Sequence, residues 1–347
     1  MTTNIEFKYI NPELYRHPGE TEARKRLEKI PGFNKALDML SDGAAVKAER
    51  QTEIASMVRV GPGVYPVLNT LWNDLQSLFG LSGVPLHIAY GLPQAWALRG
   101  GNDHPTVVID SKSLDALPER EMTALLSMQA GLIRLGNATY LAAADFMRWF
   151  MDFYGIAGAP AALPSWGIEN WRRYAMFSAD RAAALSAGDP EAMAALLARI
   201  SGAGNSSWGG VSEPDALRIQ GIEALSHERD WSNNRLRRFA LAMNRQNNVG
   251  LIRRLDLLDW FSSGVPARIL TGEMTAPESA VSDAGAEADA GVSVDPGLAY
   301  WGEFASCDDD CKESGGPVAD LREMAERGLN SFWKAGEAFW KTFQDKK

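Results

Sequence analysis

The stretch LLSMQAGLI, from Leu125 to Ile133, decides how this chain folds. We predict a helix here, because Leu117-Pro118-Glu119-Arg120-Glu121 puts proline and acids where a first helical turn favours them. The helix is expected to end near Gly136-Asn137. Residues four apart share one helical face, so Met128 and Leu132 lie together, with Gln129 beside them.

A small β region is predicted just before this helix. Its strands run from Leu86 to Tyr90, from Ala95 to Leu98 and from Thr106 to Asp110, and glycine- and proline-containing turns separate them. The rest of the chain is predicted to be almost all helix. The predicted helices are about 33–57, 65–79, 138–154, 167–187, 190–200, 213–226, 232–246 and 249–262. Near the N-terminus, the residues from His17 to Glu20 are expected to form a turn. The pattern predicts a mostly helical α+β fold.

Composition excludes several classes of protein. The chain has 347 residues, of which 46% are hydrophobic, so it can bury a substantial core. Its net charge of -9 argues against nucleic-acid binding, since no basic stripe is available to neutralise phosphates. The first residues do not resemble a signal peptide, and no apolar run is long enough to span a membrane. We therefore expect a cytoplasmic protein.

Several separated pieces of the chain resemble one family, the HtpX-like and CAAX-prenyl-protease-like zinc metallopeptidases. Gln94-Ala95-Trp96 is similar to the family's Asn-Ala-Phe strand, and Ala179-Asp180-Arg181 matches its Ala-Asp-Arg sequence. The segment from Leu251 to Trp260, which carries Arg253, resembles its C-terminal helix. The resemblance covers roughly residues 14–270. It implies a gluzincin-like metallopeptidase domain with a small β-sheet, which we place at residues 1–270.

The chain departs from this family where zinc chemistry is carried out. The family's His-Glu-x-x-His motif, two zinc ligands and a catalytic glutamate, falls on Met128, Gln129 and Leu132. The family's third ligand, a glutamate, falls on Met176. Methionine is a poor zinc ligand, glutamine is no general base and leucine has no lone pair to donate. We predict that no metal or cofactor is bound and that Met128, Leu132 and Met176 pack as core.

The resemblance also implies roles for residues outside the motif. In the family, the strand corresponding to Gln94, Ala95 and Trp96 is an edge that pairs with extended substrate. Asp180 is expected to fix two helices against each other. An arginine at the position of Arg253 helps to bind the substrate carbonyl region. These five residues are the predicted binding site.

Other candidate ligands are scattered along the sequence. The histidines, which are more typical of surface or structural positions here, are His17, His87, His104 and His227. An alternative hypothesis is a metallopeptidase-like hydrolase with displaced ligands, for which the candidates are His87, His104, Asp110 and Asp180. Cys307 and Cys311 lie in an acidic segment and are expected to be free thiols, with a soft-metal site as the alternative.

The C-terminal part has its own organisation. Residues 275–317 are rich in Ala, Gly, Asp, Glu and Ser, which predicts a flexible acidic linker. Residues 318–347 are predicted to form a detached amphipathic helix. Phe332, Phe339 and Phe343 lie on its apolar face, and Trp333 and Trp340 stand beside that face. This helix is expected to dock on its own core or a twin subunit, on a partner protein, or on a membrane surface.

These observations predict a non-catalytic pseudopeptidase and not an enzyme. Its expected role is regulatory or in assembly, through binding a protein or peptide partner. An active relative and a twin subunit are the candidates for that partner. The alternatives are the hydrolase with displaced ligands and a scaffold protein that acts through its C-terminal helix. A second possible localisation, through the C-terminal helix, is peripheral attachment to a membrane surface.

Overall fold

The structure is a computed structural model that describes residues 10–29, 33, 37, 55–92, 95–145, 162–203, 214–232 and 250–275. Its helices are α1 Pro18–Glu28, α2 Pro66–Leu78, α3 Ser111–Ala116, α4 Glu119–Arg134, α5 Ala162–Ala187, α6 Glu191–Ile200, α7 Pro214–Ser232, α8 Gly250–Ser262 and α9 Val265–Leu270. Its strands are β1 Val58–Arg59, β2 Leu86–Ala89, β3 Trp96–Arg99 and β4 Thr106–Asp110. A 3-10 turn at Pro12–Leu14 precedes α1, and residues 138–145 are also helical.

The four strands form one mixed sheet in the order β1-β2-β4-β3. β2 and β4 are parallel, with Leu86 opposite Val107, and β1 and β3 run antiparallel to their neighbours. Every residue of β4 is buried, as expected for a central strand with both faces covered. β1 and β3 are the two edges of the sheet within the described part of the chain.

Helix α4 packs most closely against α5, and a glycine allows the close approach. A Cβ added to Gly131 would lie 2.5 Å from the Cβ of Ala182 on α5. The hydroxyl of Tyr15 also reaches the Gly131 carbonyl oxygen, at 3.5 Å. From Ala124 to Ile133 every residue of α4 is buried, so this helix lies at the centre of the core.

The structure confirms the predicted fold class, which is a mostly helical α+β chain with a small sheet. The three predicted strands and the helix that contains Met128 and Gln129 are present; the strand from Thr106 to Asp110 has the predicted ends, and the other ends differ by no more than three residues. The sequence did not predict the short elements β1, α3 and α9. Each of them is too brief to show a periodic apolar pattern.

One prediction near the N-terminus was wrong. The residues from His17 to Glu20 do not form an isolated turn, because α1 begins at Pro18. The His17 side chain caps this helix by accepting a hydrogen bond from the Gly19 N–H at 3.0 Å. Proline is well suited to the first position of a helix, where its missing N–H costs nothing.

Several predictions concern residues outside the described part. These are most of the predicted helix 33–57, the helix 232–246, and the proposed boundaries at 275–317 and 318–347. Among the described residues, every helix is either too short or too polar to cross a membrane.

Candidate functional site

The four positions where the resembled family carries its zinc chemistry lie inside the core. Met128, Gln129 and Leu132 are on α4 and Met176 is on α5, and all four are buried. Met128, Leu132 and Met176 belong to the main hydrophobic cluster. The region between these helices is therefore packed mainly by thioether and aliphatic groups.

A buried ion pair between two other residues lies beside Met128. Arg253 on α8 donates to both carboxylate oxygens of Asp180 on α5, at 2.8 Å and 2.5 Å. The same guanidinium lies 3.4 Å from the Sδ atom of Met128. The three helices are thus joined by one buried contact of arginine, carboxylate and sulfur. A two-bonded arginine–carboxylate pair also fixes direction, because the guanidinium fork is rigid.

Burial shapes the electrostatics of this pair. Burial raises the pKa of the Asp180 carboxyl, and the charge and hydrogen bonds of Arg253 oppose that rise. The two hydrogen bonds from the guanidinium favour the ionised form of the carboxylate, against the effect of burial. A buried ion without its partner is costly, so each member depends on the other.

The residues at these positions do not fit a zinc ion. A structural or catalytic zinc site takes imidazole, thiolate or carboxylate donors. The four positions offer two thioethers, one amide and one aliphatic side chain, and a guanidinium cation already touches Met128. Cations repel one another, so the cation at Arg253 also disfavours a metal beside Met128.

Gln129 differs from the other three motif positions because its side chain carries an amide that has no hydrogen-bond partner among the described residues. Its residue is fully buried, and in the described structure neither Oε1 nor Nε2 has a hydrogen-bond partner. A buried polar group without a partner costs about 1–3 kcal/mol. This amide is therefore held in place by the fold around it and not by bonds of its own.

A second buried polar cluster lies where α1 meets α5. Ser178 bonds Glu20 through a short contact and accepts a hydrogen bond from the His17 backbone N–H at 2.8 Å. Asn137 and Arg16 donate to the other oxygen of Glu20, at 3.0 Å and 3.1 Å. Burial raises the pKa of Glu20, although these bonds and Arg16 pull it back.

Asp256 on α8 connects this cluster to the core helices. Arg181 donates to both of its oxygens at 3.3 Å and 3.2 Å, and His17 Nε2 lies 3.6 Å away. Burial alone would raise the pKa of Asp256. The interactions with His17 and Arg181 outweigh it, and the pKa is held below its usual value. His17 also stacks on Tyr174, with ring centroids 5.1 Å apart.

No sequence pattern predicted the cluster around Glu20. Its members lie far apart in the chain, from His17 to Asp256, and no short motif joins them. The available signal was the pair Pro18 and Glu20, which suits the first turn of a helix. If these two residues are interpreted as a helix start, they predict α1 but not the burial of Glu20.

The predicted binding strand lies at the edge of the sheet. Trp96 is half-buried in β3 and pairs with Ile109, and the Ala95 carbonyl oxygen accepts hydrogen bonds from the Asp110 N–H and the Ser113 hydroxyl. Hydrogen-bonded and open pairs alternate along an antiparallel ladder, so the backbone groups of Trp96 and Leu98 point away from β4. In the described residues, no strand pairs with that side of β3.

The structure does not gather the displaced-ligand candidates into one site. His87 is buried in β2, and His104 is exposed in the turn before β4. Asp110 caps α3 through the Lys112 N–H at 2.9 Å and also accepts from the Leu92 N–H. Asp180 is paired with Arg253. No cluster of three or more His, Cys, Asp or Glu side chains suitable for a metal occurs among the described residues.

Other predicted residues lie outside the described part of the chain. They are Gln94, Cys307, Cys311, Phe332, Trp333, Phe339, Trp340 and Phe343. His227 belongs to α7, but its side chain is not described. The roles proposed for Gln94 and for the C-terminal helix therefore remain predictions.

Sequence similarity links part of the chain to a metallopeptidase. A 200-residue alignment, 56% of this chain, is 22% identical to the plastoglobule-localized metallopeptidase 48, chloroplastic, of Arabidopsis thaliana. The alignment covers 58% of that relative's length, so the chain spans little more than half of it. No family model matches the chain, and no solved structure matches it. The chain is therefore metallopeptidase-like at the level of this partial and distant similarity.

Proposed function

We propose that this protein is an HtpX-like metallopeptidase homologue that has lost peptide hydrolysis and serves as a binding protein. The observation that carries the proposal is the set of side chains at the four motif positions. Two thioethers, an amide and an aliphatic group supply neither zinc ligands nor a general base. The Arg253 cation against Met128 adds an electrostatic reason for excluding a metal.

Binding in this proposal uses the sheet edge and needs no metal. The outward-facing backbone groups of β3 suit an extended peptide that adds a strand to the sheet. Trp96, half-buried at the start of β3, offers an aromatic surface beside that edge. The partner class is therefore a protein segment or peptide in extended conformation, and the role is regulatory or in assembly.

The first experiment measures zinc in the purified full chain after incubation with zinc and removal of free ions. Elemental mass spectrometry is expected to find far less than one equivalent. Peptidase activity is expected to be absent with or without a chelator. One equivalent of zinc, or cleavage that a chelator stops, would show that ligands elsewhere form a working site and would overturn the proposal.

A restored variant makes this measurement sharper. Met128→His, Gln129→Glu, Leu132→His and Met176→Glu together rebuild the donor set of the family and are expected to raise the bound zinc towards one equivalent. The matched control is Asn73→His with Asp74→Glu and Ser77→His. These substitutions place a His-Glu-x-x-His motif on the exposed face of α2, without a third ligand. The control separates a complete site from capture by a pair of histidines.

The second experiment tests the binding edge. Peptides are selected from a random displayed library on the immobilised full chain. Trp96→Pro removes an outward-facing N–H of β3 and is expected to weaken the selected peptides about tenfold or more. Arg59→Pro is the control, because it removes an outward-facing N–H on the opposite edge of the sheet. Equal binding by wild type and Trp96→Pro would exclude β3 as the binding edge.

A further inference from the structure

A patch of exposed apolar side chains begins at β1, the edge of the sheet opposite β3. It consists of Val58, Val64, Tyr65 and Val67, which are 50%, 43%, 46% and 78% exposed, and we call it the Tyr65 patch. Single exposed apolar side chains are ordinary, whereas a group of them marks an interaction surface. These residues follow one another through β1, a tight bridge and the start of α2.

The backbone holds this patch in place against a local cost. Gly61 and Val64 exchange two hydrogen bonds of 2.9 Å, and the chain then enters α2 through Tyr65. Tyr65 has φ 59° and ψ 58°, the left-handed conformation, and is the one non-glycine residue with positive φ in the described chain. A bulky residue in this conformation costs about 1–2 kcal/mol. Such strain persists where the surroundings fix it, often at functional surfaces.

The exposed side chains of the patch do not belong to the face of α2 that packs on the core. α2 already buries its other face through Leu68, Trp72 and Leu75. Val67 lies next to Leu68 in sequence but faces outward, and it is the most exposed member of the patch. An apolar surface of this kind gains stability only when something outside the described core covers it.

We propose that the chain's own C-terminal segment, residues 318–347, covers the Tyr65 patch. The sequence of this segment places Phe332, Phe339 and Phe343 on one face of a predicted helix, and that face needs an apolar surface to be buried. The two surfaces are complementary in chemistry and belong to one molecule. This inference does not rest on the proposed function.

The path of the chain brings the segment within reach. The Asn11 side chain donates to the Thr275 carbonyl oxygen at 3.2 Å, and the Ile10 N–H donates to the Leu78 carbonyl oxygen at 3.2 Å. The described chain therefore ends beside the C-terminal end of α2. The patch lies at the opposite end of this helix, which is about 20 Å long.

The intervening segment is long enough for this distance. Residues 276–317 have the composition of a flexible linker, and a linker of that length has a root-mean-square span of about 35 Å. A tethered helix is present at an effective concentration of about millimolar, so a modest apolar contact suffices to hold it. Ile219 and Ile222 on α7 form another exposed apolar pair, but among the described residues no positive-φ residue lies beside them.

The experiment is amide hydrogen exchange on the full chain, read by mass spectrometry. Phe332→Asp with Phe339→Asp is expected to raise exchange over residues 58–69 by about tenfold or more. Val67→Asp is expected to raise exchange over 318–347 reciprocally. Lys334→Gln with Lys341→Gln, the same spacing on the opposite face of the predicted helix, is the control and is expected to change neither region. Asn73→Asp, an exposed position on α2, is the control for Val67→Asp.

Each other occupant gives a different result, and each would overturn the proposal. Protection of 58–69 that depends on protein concentration, with a dimer in light scattering, would identify a second copy as the occupant. Protection that appears only with anionic phospholipid vesicles would identify a membrane surface. Tail variants that raise amide exchange over residues 216–226, and not over 58–69, would show that the tail contacts α7. Reciprocal changes in a monomeric protein, independent of concentration, support the proposal.

Discussion

The region around Met128 and the Tyr65 patch differ in whether their apolar side chains are buried or exposed. Around Met128 the apolar groups are buried, and the charged pair Asp180 and Arg253 is buried with them. In the Tyr65 patch the apolar groups are exposed, and Tyr65 has the left-handed backbone conformation. The first region is a buried part of the core, whereas the second is an exposed apolar surface.

This difference shows where function should be sought in the molecule. A filled core responds to substitution mainly through stability, because its packing leaves no room for change. An exposed patch responds mainly through binding, because its side chains contribute little to the folded state. If the comparison is right, substitutions in the two regions separate into these two kinds of effect.

The largest expected effect is at Arg253. Arg253→Met leaves the Asp180 carboxylate buried without its cation, and should lower the free energy of unfolding by about 3–5 kcal/mol. Denaturant unfolding measures this loss. Arg254→Met, at the half-buried neighbour, is the control. Adding Asp180→Asn to Arg253→Met should recover part of the loss, and a double variant as unstable as the single one would argue against the ion pair as the cause.

The next effect is at the contact of α4 with α5. Gly131→Ala places a methyl group 2.5 Å from the Ala182 Cβ, so the helices must separate, at about 1–3 kcal/mol of stability. Gly63→Ala is the matched control, because nothing lies within 4 Å of a Cβ there. Equal thermal stability of the two variants would show that the helices are not tightly packed at Gly131.

Gln129 is expected to give a change of the opposite sign. Gln129→Met replaces an unsatisfied buried amide with an apolar side chain of similar shape, and should raise the free energy of unfolding by about 1–3 kcal/mol. Gln76→Met should lower it, since Gln76 accepts a hydrogen bond from the Val84 N–H at 2.8 Å. A loss of stability in Gln129→Met would mean that the amide has a bonding partner in solution.

Glu20 should make stability depend on pH. Because its folded pKa is raised above the ordinary value of 4.5, the neutral carboxyl favours the folded state. That contribution is complete below 4.5 and is lost as the pH rises through the raised pKa. Unfolding free energies across this range should therefore fall in the wild type relative to Glu20→Gln. Glu22→Gln, an exposed carboxylate on the same helix, should leave the wild-type slope unchanged.

The smallest effect on folding is expected in the Tyr65 patch. In the Phe332→Asp and Phe339→Asp background, in which the tail no longer covers the patch, Val67→Asp should change the free energy of unfolding by no more than about 0.5 kcal/mol, because the side chain is largely exposed. Denaturant unfolding followed by the far-ultraviolet signal measures it. A loss as large as that of Gly131→Ala would place Val67 in the core and would remove the contrast between the two regions.

The sequence predicted the long elements well and the buried polar contacts poorly. The strand from Thr106 to Asp110 was predictable as a short β-branched run bounded by turns, and the helix through Met128 was predictable from the proline and acids at its start. Asp180 and Arg253 were each singled out by resemblance, but as separate residues with separate roles. Glu20 and Ser178 were not singled out, because a charged residue in a short N-terminal segment normally faces water.

The sequence alone determined the α+β class and the chemistry available at Met128, Gln129, Leu132 and Met176, since a side chain's donors are fixed by its identity. Only the tertiary structure decided how the charges are paired. Arg253 meets residues 73 and 125 positions away in the chain, at Asp180 and Met128. Such pairing depends on which helices pack together and on how completely water is removed. Both are properties of the folded chain as a whole and not of any local stretch.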